Sequence, residues 1–370
     1  MKKKTITLVL LGVVAAYLPM LLSCGDDDCC ICPVDPGYQE PVYHFLYSRV
    51  GVDYWVYTYN TKTGEAVDSV KYGVFPFWDV RFSKDGRYAY YCNLSFTDDY
   101  TVWMTDYASG DTLSLYQGLG GHYLSVSHDG DYLFATDSRD VAIFSLPDLQ
   151  VVYSDTMVQC GPGCLHPLKN IAYMPTGHED SLTVIDFQTE DISVEKIPLE
   201  TLNGYPAAAY VANISNDGSI LFMVVFTAGA KFGYLQLRDT ETLEILKEYY
   251  RFGGPSYFHP DGVRVFYCIP RSWETGEGGE VWVLNLKTLI AEKILDSDDS
   301  KIGDPHHLLS FSGMDITPDG RFAFVLGGGG FEDGPIIKLD LKTYRIVDAI
   351  TPPHGVSRVI RMYPLEIEGG

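Results

Sequence analysis

Five phrases recur along the chain: SKDGRYAYY (83–91), SHDGDYLFA (127–135), SNDGSILFM (215–223), HPDGVRVFY (259–267) and TPDGRFAFV (317–325). A degenerate copy, HPLKNIAYM, occupies 166–174. Each is a polar turn followed by a run of aromatic and aliphatic residues. The Asp-Gly pair suits a tight turn between antiparallel strands, because Gly adopts positive φ without steric penalty. Successive Asp-Gly aspartates from Asp85 to Asp261 are 44, 88 and 44 residues apart. The last step, Asp261 to Asp319, is 58 residues and implies a 14-residue insertion.

A second phrase alternates with the first. It reads YTYNTKTGEAV (57–67), MTDYASGDTLSL (104–115), FSLPDLQVV (144–152), VIDFQTEDISV (184–194), LQLRDTETLEIL (235–246), VLNLKTLIAEKI (283–294) and KLDLKTYRIVDAI (338–350). Each copy is a strand, a short polar turn and another strand. Seven units over residues 43–370 give about 47 residues apiece, the size of a four-stranded propeller blade. Residues 43–70 hold only three strands, and VSRVIRMY (356–363) is a spare strand at the other end. The expected fold is therefore all-β: a seven-bladed β-propeller of four-stranded antiparallel blades, closed by the C-terminal strand joining the first blade. Closure removes the open sheet edges that invite aggregation. No segment has sustained helical periodicity, so little helix is expected.

The stretches FPFWDVRFSKDGRYAYY (75–91) and GGPSYFHPDGVRVFY (253–267) resemble the repeat of YVTN-type β-propellers, related to the YncE and lactonase-like families. The resemblance covers most of the chain after its N-terminal leader. It implies the fold strongly and the function weakly, since propellers host many activities.

The composition is globular, with 46% hydrophobic and 14% aromatic residues, 27 of them Tyr. Forty-nine acidic residues against 27 basic give a net charge of -22. That balance argues against a nucleic-acid binder, which needs clustered Lys and Arg.

Residues 1–23 have the layout of a secretory signal peptide: Lys2, Lys3 and Lys4, then an apolar run from Thr5 to Leu22. The ending Leu21-Leu22-Ser23-Cys24 resembles the lipobox of bacterial lipoproteins. By that resemblance cleavage follows Ser23 and Cys24 carries the lipid. Loss of the three lysines takes the charge to -25. The acidic run Gly25-Asp26-Asp27-Asp28 resembles the surface-export signal of Bacteroides-type lipoproteins. The expected organisation is a leader (1–23), a lipidated Cys and flexible tether (24–42), and a propeller (43–370). The expected location is the outer membrane, facing the cell exterior.

Eight cysteines are present. Cys29, Cys30 and Cys32 lack the second half of a zinc site. Cys160-Gly-Pro-Gly-Cys164 reads either as a local disulfide of an exported protein or as two small buried thiols. Cys92 and Cys268 fall in apolar strands and are expected to be inert core residues.

In this blade order, the loops entering each inner strand share one face with the loops joining second and third strands. They ring the mouth of the central channel, where propeller ligands are held. Ligand-binding candidates on that face are Trp78, Asp79, His122, Tyr123, Tyr257, Arg271, Trp273, His307, His354 and Arg358, with His178 and Tyr210 beside them. The loop around Arg271-Ser-Trp-Glu274 is the most distinctive, since Arg and Trp are favoured at binding hot spots. His166 and His259 precede turns on the opposite face and are expected to be structural. His306, His307 and His354 lack an ExxH pattern, so no metal site is assigned. Asp296-Ser-Asp-Asp299 lacks the Gly and distal Glu of a calcium loop. No G-x-S-x-G, Walker, Rossmann or CxxCH motif occurs, and no catalytic residue or cofactor is assigned. The leading expectation is a surface lipoprotein that binds a nutrient, an outer-membrane transporter, or both, through its loop face. The alternative implied by the resemblance is a lactonase- or lyase-like enzyme at the channel mouth. Tight metal-independent binding sensitive to Trp273→Ala marks the first; metal-dependent activity lost on changing His307 or His354 marks the second.

Overall fold

A computed structural model of the chain describes residues 40–50, 54–72, 77–93, 101–118, 123–127, 129–136, 140–156, 161–176, 181–189, 191–200, 207–227, 233–250, 256–269, 279–296, 311, 313–327, 334–352 and 356–365. The residues expected to form a leader, Cys24 and most of the expected tether lie outside them.

The described residues form strands throughout and no helix. Strands β1 (His44–Val50), β2 (Tyr54–Asn60) and β3 (Ala66–Tyr72) open the chain. The second blade is β4 (Phe77–Phe82), β5 (Tyr88–Asn93), β6 (Thr101–Asp106) and β7 (Thr112–Gln117). The third is β8 (Tyr123–Val126), β9 (Tyr132–Thr136), β10 (Asp140–Ser145) and β11 (Gln150–Thr156). The fourth is β12 (Cys164–Leu165), β13 (Ile171–Thr176), β14 (Ser181–Asp186) and β15 (Ser193–Pro198). The fifth is β16 (Ala207–Ile214), β17 (Ile220–Thr227), β18 (Tyr234–Asp239) and β19 (Ile245–Tyr250). The sixth is β20 (Ser256–Phe258), β21 (Arg264–Ile269), β22 (Glu280–Asn285) and β23 (Ile290–Asp296). The seventh is β24 (Gly313–Ile316), β25 (Phe322–Leu326), β26 (Ile336–Asp340) and β27 (Arg345–Ile350). The last strand, β28 (Val356–Met362), pairs with β1 and completes the first blade in the order β28-β1-β2-β3. The seven-bladed, strand-closed propeller read from the repeats is the observed fold.

The turns form as their residues dictate. Asp85 Oδ1 accepts from Ser83 Oγ (2.6 Å) and from the Arg87 amide (3.1 Å), and Gly86 sits at φ 68°. Asp217 repeats the arrangement with Ser215 and Ser219. At the outer hairpins an Asx side chain caps the turn, as when Asp239 Oδ1 accepts from the Glu241 and Thr242 amides.

The core lies between blades rather than in one centre. Each apolar cluster draws on two faces, such as Phe266, Cys268 and Val283 of the sixth blade against Met314, Ala323 and Val325 of the seventh. At the closing seam Phe45 meets Phe324 with ring centroids 4.8 Å apart, and Ile360 and Met362 of β28 join the same cluster. Cys92 and Cys268 are fully buried, and burial pushes both thiols up, which makes them inert.

On the Asp-Gly face three aromatic side chains bridge neighbouring blades. Tyr363 donates to Gly86 O (3.2 Å) and His259 Nε2 lies 2.7 Å from Gly320 O. His166 packs against Gly218 in the same way. His166 and His259 are structural, as expected. The chain enters on this face too: β1 begins where β28 ends, with Phe45 opposite Met362. Buried Lys338 clamps the entry, with Glu40 Oε1 at 2.5 Å and Thr61 O at 2.9 Å.

Candidate functional site

The seven inner strands enclose a cavity of about 620 Å³. One register position, two residues ahead of the turn's first residue, faces it in every blade. Arg361, Arg81, Ser125, Cys164, Asn213, Tyr257 and Asp315 occupy this position in blades one to seven. The ring is uneven. Blades seven, one and two contribute charge, and blades three to six contribute neutral groups.

Asp79 of β4 anchors the charged arc. It is 1% exposed. Its Oδ1 accepts from Arg361 Nε (3.0 Å) and Nη2 (2.8 Å) and from the Val80 amide (2.9 Å). Its Oδ2 accepts from the Leu124 amide (3.1 Å) and lies 3.1 Å from Arg81 Nη2. A carboxylate with so many donors is held in one orientation, and it holds both arginines in turn. Arg81 Nε donates to Leu124 O (2.8 Å). Burial, then the neighbouring Arg361 guanidinium, lower the Arg81 pKa. Burial also lowers Arg361, but Asp79 and Asp315 outweigh it and raise that group above its ordinary value. Asp315 accepts from the Ile316 amide (2.9 Å) and the Met362 amide (2.7 Å), and burial pushes its carboxyl up.

Among the described residues, hydrogen bonds connect six of the seven neighbouring pairs of blades around the channel. Arg361 joins the first blade to Asp79 of the second, and Asp79 reaches Leu124 of the third. The Leu165 amide donates to Ser125 Oγ (3.4 Å), and the Ala212 amide to Pro162 O (2.8 Å). Asn213 Nδ2 donates to Ser256 Oγ (3.0 Å). Between the sixth and seventh blades the Tyr257 phenol is pushed up by burial, with the Met314 amide acting against that shift. The Met362 amide on Asp315 adds the link of this belt from the seventh blade to the first.

No protein-family model matches the sequence, and no match is found among curated proteins. Solved structures do match. The periplasmic gluconolactonase of Pseudomonas aeruginosa superposes with a TM-score of 0.61 at 14% identity, covering 87% of this chain and 99% of that one. The β-propeller domain of Cps50 (Swd1) from Myceliophteria thermophila gives 0.59 at 14% identity, covering 75% and 87%. The dihydro-heme d1 dehydrogenase NirN gives 0.57 at 15% identity, covering 90% and 78%. The shared feature is the propeller fold.

Of the sequence-predicted residues, Asp79 and Tyr257 line the channel, and Tyr123 stands beside them with 37% of its surface open. Trp78 and Arg358 hold equivalent backbone positions in the register of their strands. Each is the extra residue where its inner strand shifts register, between Phe77 and Asp79 in β4 and between Ser357 and Val359 in β28. Tyr210 is the extra residue of β16, between Ala209 and Val211. Bulges of this kind sit at sheet rims and re-aim side chains. His122, His178, Arg271, Trp273, His307 and His354 lie outside the described residues. Cys164 carries a free, buried thiol that burial pushes up, and Cys160 is outside the described residues. Among the described residues no group of three His, Cys, Asp or Glu is placed to hold a metal ion.

Loop-based reasoning missed Arg81, Asn213, Asp315 and Arg361. The repeat carried the signal: the channel residue is two positions ahead of Ser83, Ser215, Thr317 and Tyr363. A second hollow, about 500 Å³ on the Asp-Gly face, is lined by His259, Arg264 and Lys342. Its Arg264 is tied to Asp261 (2.8 Å) and Leu341 O (2.7 Å), which makes it part of the turn.

Proposed function

We propose that this protein is a surface-anchored binding propeller that takes a small nutrient molecule into its central channel. The observation that carries this reading is Arg81, a guanidinium held by Asp79 and Leu124 at the wall of an approximately 620 Å³ cavity. A cavity of that size, with a few fixed polar groups, matches a small-molecule site. A lipid on Cys24 would hold the chain to the outer membrane. The chain enters β1 on the Asp-Gly face, so on this reading the channel's loop face would look away from the membrane, toward a nutrient or a transporter. Trp78, Arg358, Arg271 and Trp273 are the candidates for contacts on that face.

The test is recovery of the full chain from detergent-solubilised native outer membranes, with bound small molecules and proteins read by mass spectrometry. A co-purifying small molecule, lost in Arg81→Gln, supports the channel reading. A co-purifying transporter supports docking through the loops. Empty, monomeric protein at good yield counts against both. The second reading is a lactone hydrolase, favoured by Asp315, an elevated carboxyl in the same channel wall as Arg361 and Tyr257. Turnover of sugar lactones by the purified chain, abolished in Asp315→Asn, would put that reading first.

A further inference from the structure

The reading that the channel holds a small molecule leaves open which kind, and the charges in the wall narrow it. Arg81 and Arg361 share one contacting carboxylate, Asp79. Arg361 commits all three guanidinium nitrogens, Nε and Nη2 to Asp79 and Nη1 to Ile360 O (2.9 Å). Arg81 commits one edge only, Nε to Leu124 O and Nη2 to Asp79. Among the described residues its Nη1 has no partner, and 39% of the side chain is open. The Nη1–Nη2 edge, made of Nη1 and the second hydrogen of Nη2, is the fork that takes a carboxylate in two parallel hydrogen bonds.

Asp315 is the converse case. Its two oxygens accept only backbone amides, from Ile316 and Met362, and among the described residues no cation touches it. Arg361 and Arg81 act on it only through space. The set Arg81, Asp79 and Arg361 therefore carries one net positive charge, and Asp315 carries one negative charge on the same cavity. A ligand bearing only a carboxylate would satisfy Arg81 and be opposed by Asp315. A ligand bearing only an ammonium would meet the reverse. The facing arc, with Ser125, Asn213 and Tyr257, offers neutral donors and acceptors for the remainder.

We propose that the channel binds a zwitterionic small molecule, with its carboxylate in the open fork of Arg81 and its ammonium group on Asp315. Asp79 is a positioning residue that aims Arg81.

The test is calorimetric titration of the full chain in detergent at neutral pH with matched probes. Gamma-aminobutanoate, epsilon-aminohexanoate and L-phenylalanine are each compared with a carboxylate-only counterpart (butanoate, hexanoate, phenylpropanoate). The amine-only counterparts are butylamine, hexylamine and phenylethylamine. At least one amino acid is expected to bind about tenfold or more tightly than both its counterparts, roughly what one charge-assisted contact supplies. Arg81→Gln should reduce it to the affinity of the amine, and Asp315→Asn to that of the carboxylate. Melting curves confirm that each variant is folded, and the wild-type comparison needs no variant. Equal binding of an amino acid and its carboxylate-only partner overturns the proposal but leaves the channel as a binding site. Silence from every probe, together with empty protein from native membranes, overturns both.

Discussion

A glycine two residues before a strand does two different jobs in this protein. Gly262 (φ 68°) has open space where a Cβ would stand, so only its backbone conformation needs glycine. Gly320 (φ 72°) also has the His259 ring against it, with Cε1 2.6 Å from an added Cβ. Gly262→Ala is expected to destabilise by about 1–2 kcal/mol, the left-handed penalty alone. Gly320→Ala should add about 1–3 kcal/mol of overpacking. Urea melts of the pair measure the difference, and equal losses would refute the His–Gly bridge. Acid sensitivity follows from a neighbouring residue. Burial pushes Asp261 up, but the Val263 amide and Arg264 outweigh it and hold the carboxyl at about 2, against 3.8 unperturbed. A depressed folded value means the contribution is complete above about pH 4 and is lost as pH falls toward 2. Asp261 is partly exposed, with 36% of its side chain open, so screening reduces this to about 1 kcal/mol. Asp261→Asn should flatten that part of the stability–pH curve.

The inner strands carry the next scale of organisation, and Asp79 is their most consequential side chain. Asp79→Asn keeps the shape but removes the one carboxylate that Arg81 and Arg361 touch among the described residues. Breaking a buried pair from one side costs about 3–5 kcal/mol. The melting temperature should fall sharply, and by clearly more than for Ser125→Ala, which removes one long hydrogen bond. The strands themselves were legible because alternating apolar residues between Asp-Gly turns admit one register. VSRVIRMY, read as a spare strand at 356–363, is β28 with one residue to spare. The site was half legible. Asp79 and Tyr257 stood out as polar groups near loop ends. Arg81 and Arg361 look like ordinary outward residues of amphipathic strands until all seven registers are superposed. What places them in the channel is curvature around the ring, a long-range property that single-strand alternation does not contain.

Closure decides how the whole ring behaves. Strand β28 pairs with β1 from Phe45 to Val50, adds Ile360 and Met362 to the seam, and supplies Arg361 and the Met362 amide to the channel belt. Truncation before Val356 removes all of these and exposes the β1 edge, so aggregation and loss of a single cooperative melt are expected. A permutant separates the strand's chemistry from its position in the chain. The Tyr363 amide already donates to His44 O at 2.8 Å, so a short turn can join β28 directly to β1. Moving 356–365 ahead of residue 40 keeps every strand pairing and the Glu40–Lys338 contact but makes the first blade contiguous. The permutant should fold, with melting temperature near that of the parent and the same channel affinity. Its unfolding should be faster, because opening the ring no longer requires the chain's two ends to part within one sheet. Its N-terminus would begin at Val356, on the loop face. If a tether on the Asp-Gly face is what points the channel outward, the anchored permutant should bind ligand in detergent yet fail to capture it at the surface of intact cells. Equal capture by both forms would show that the side from which the tether leaves is immaterial.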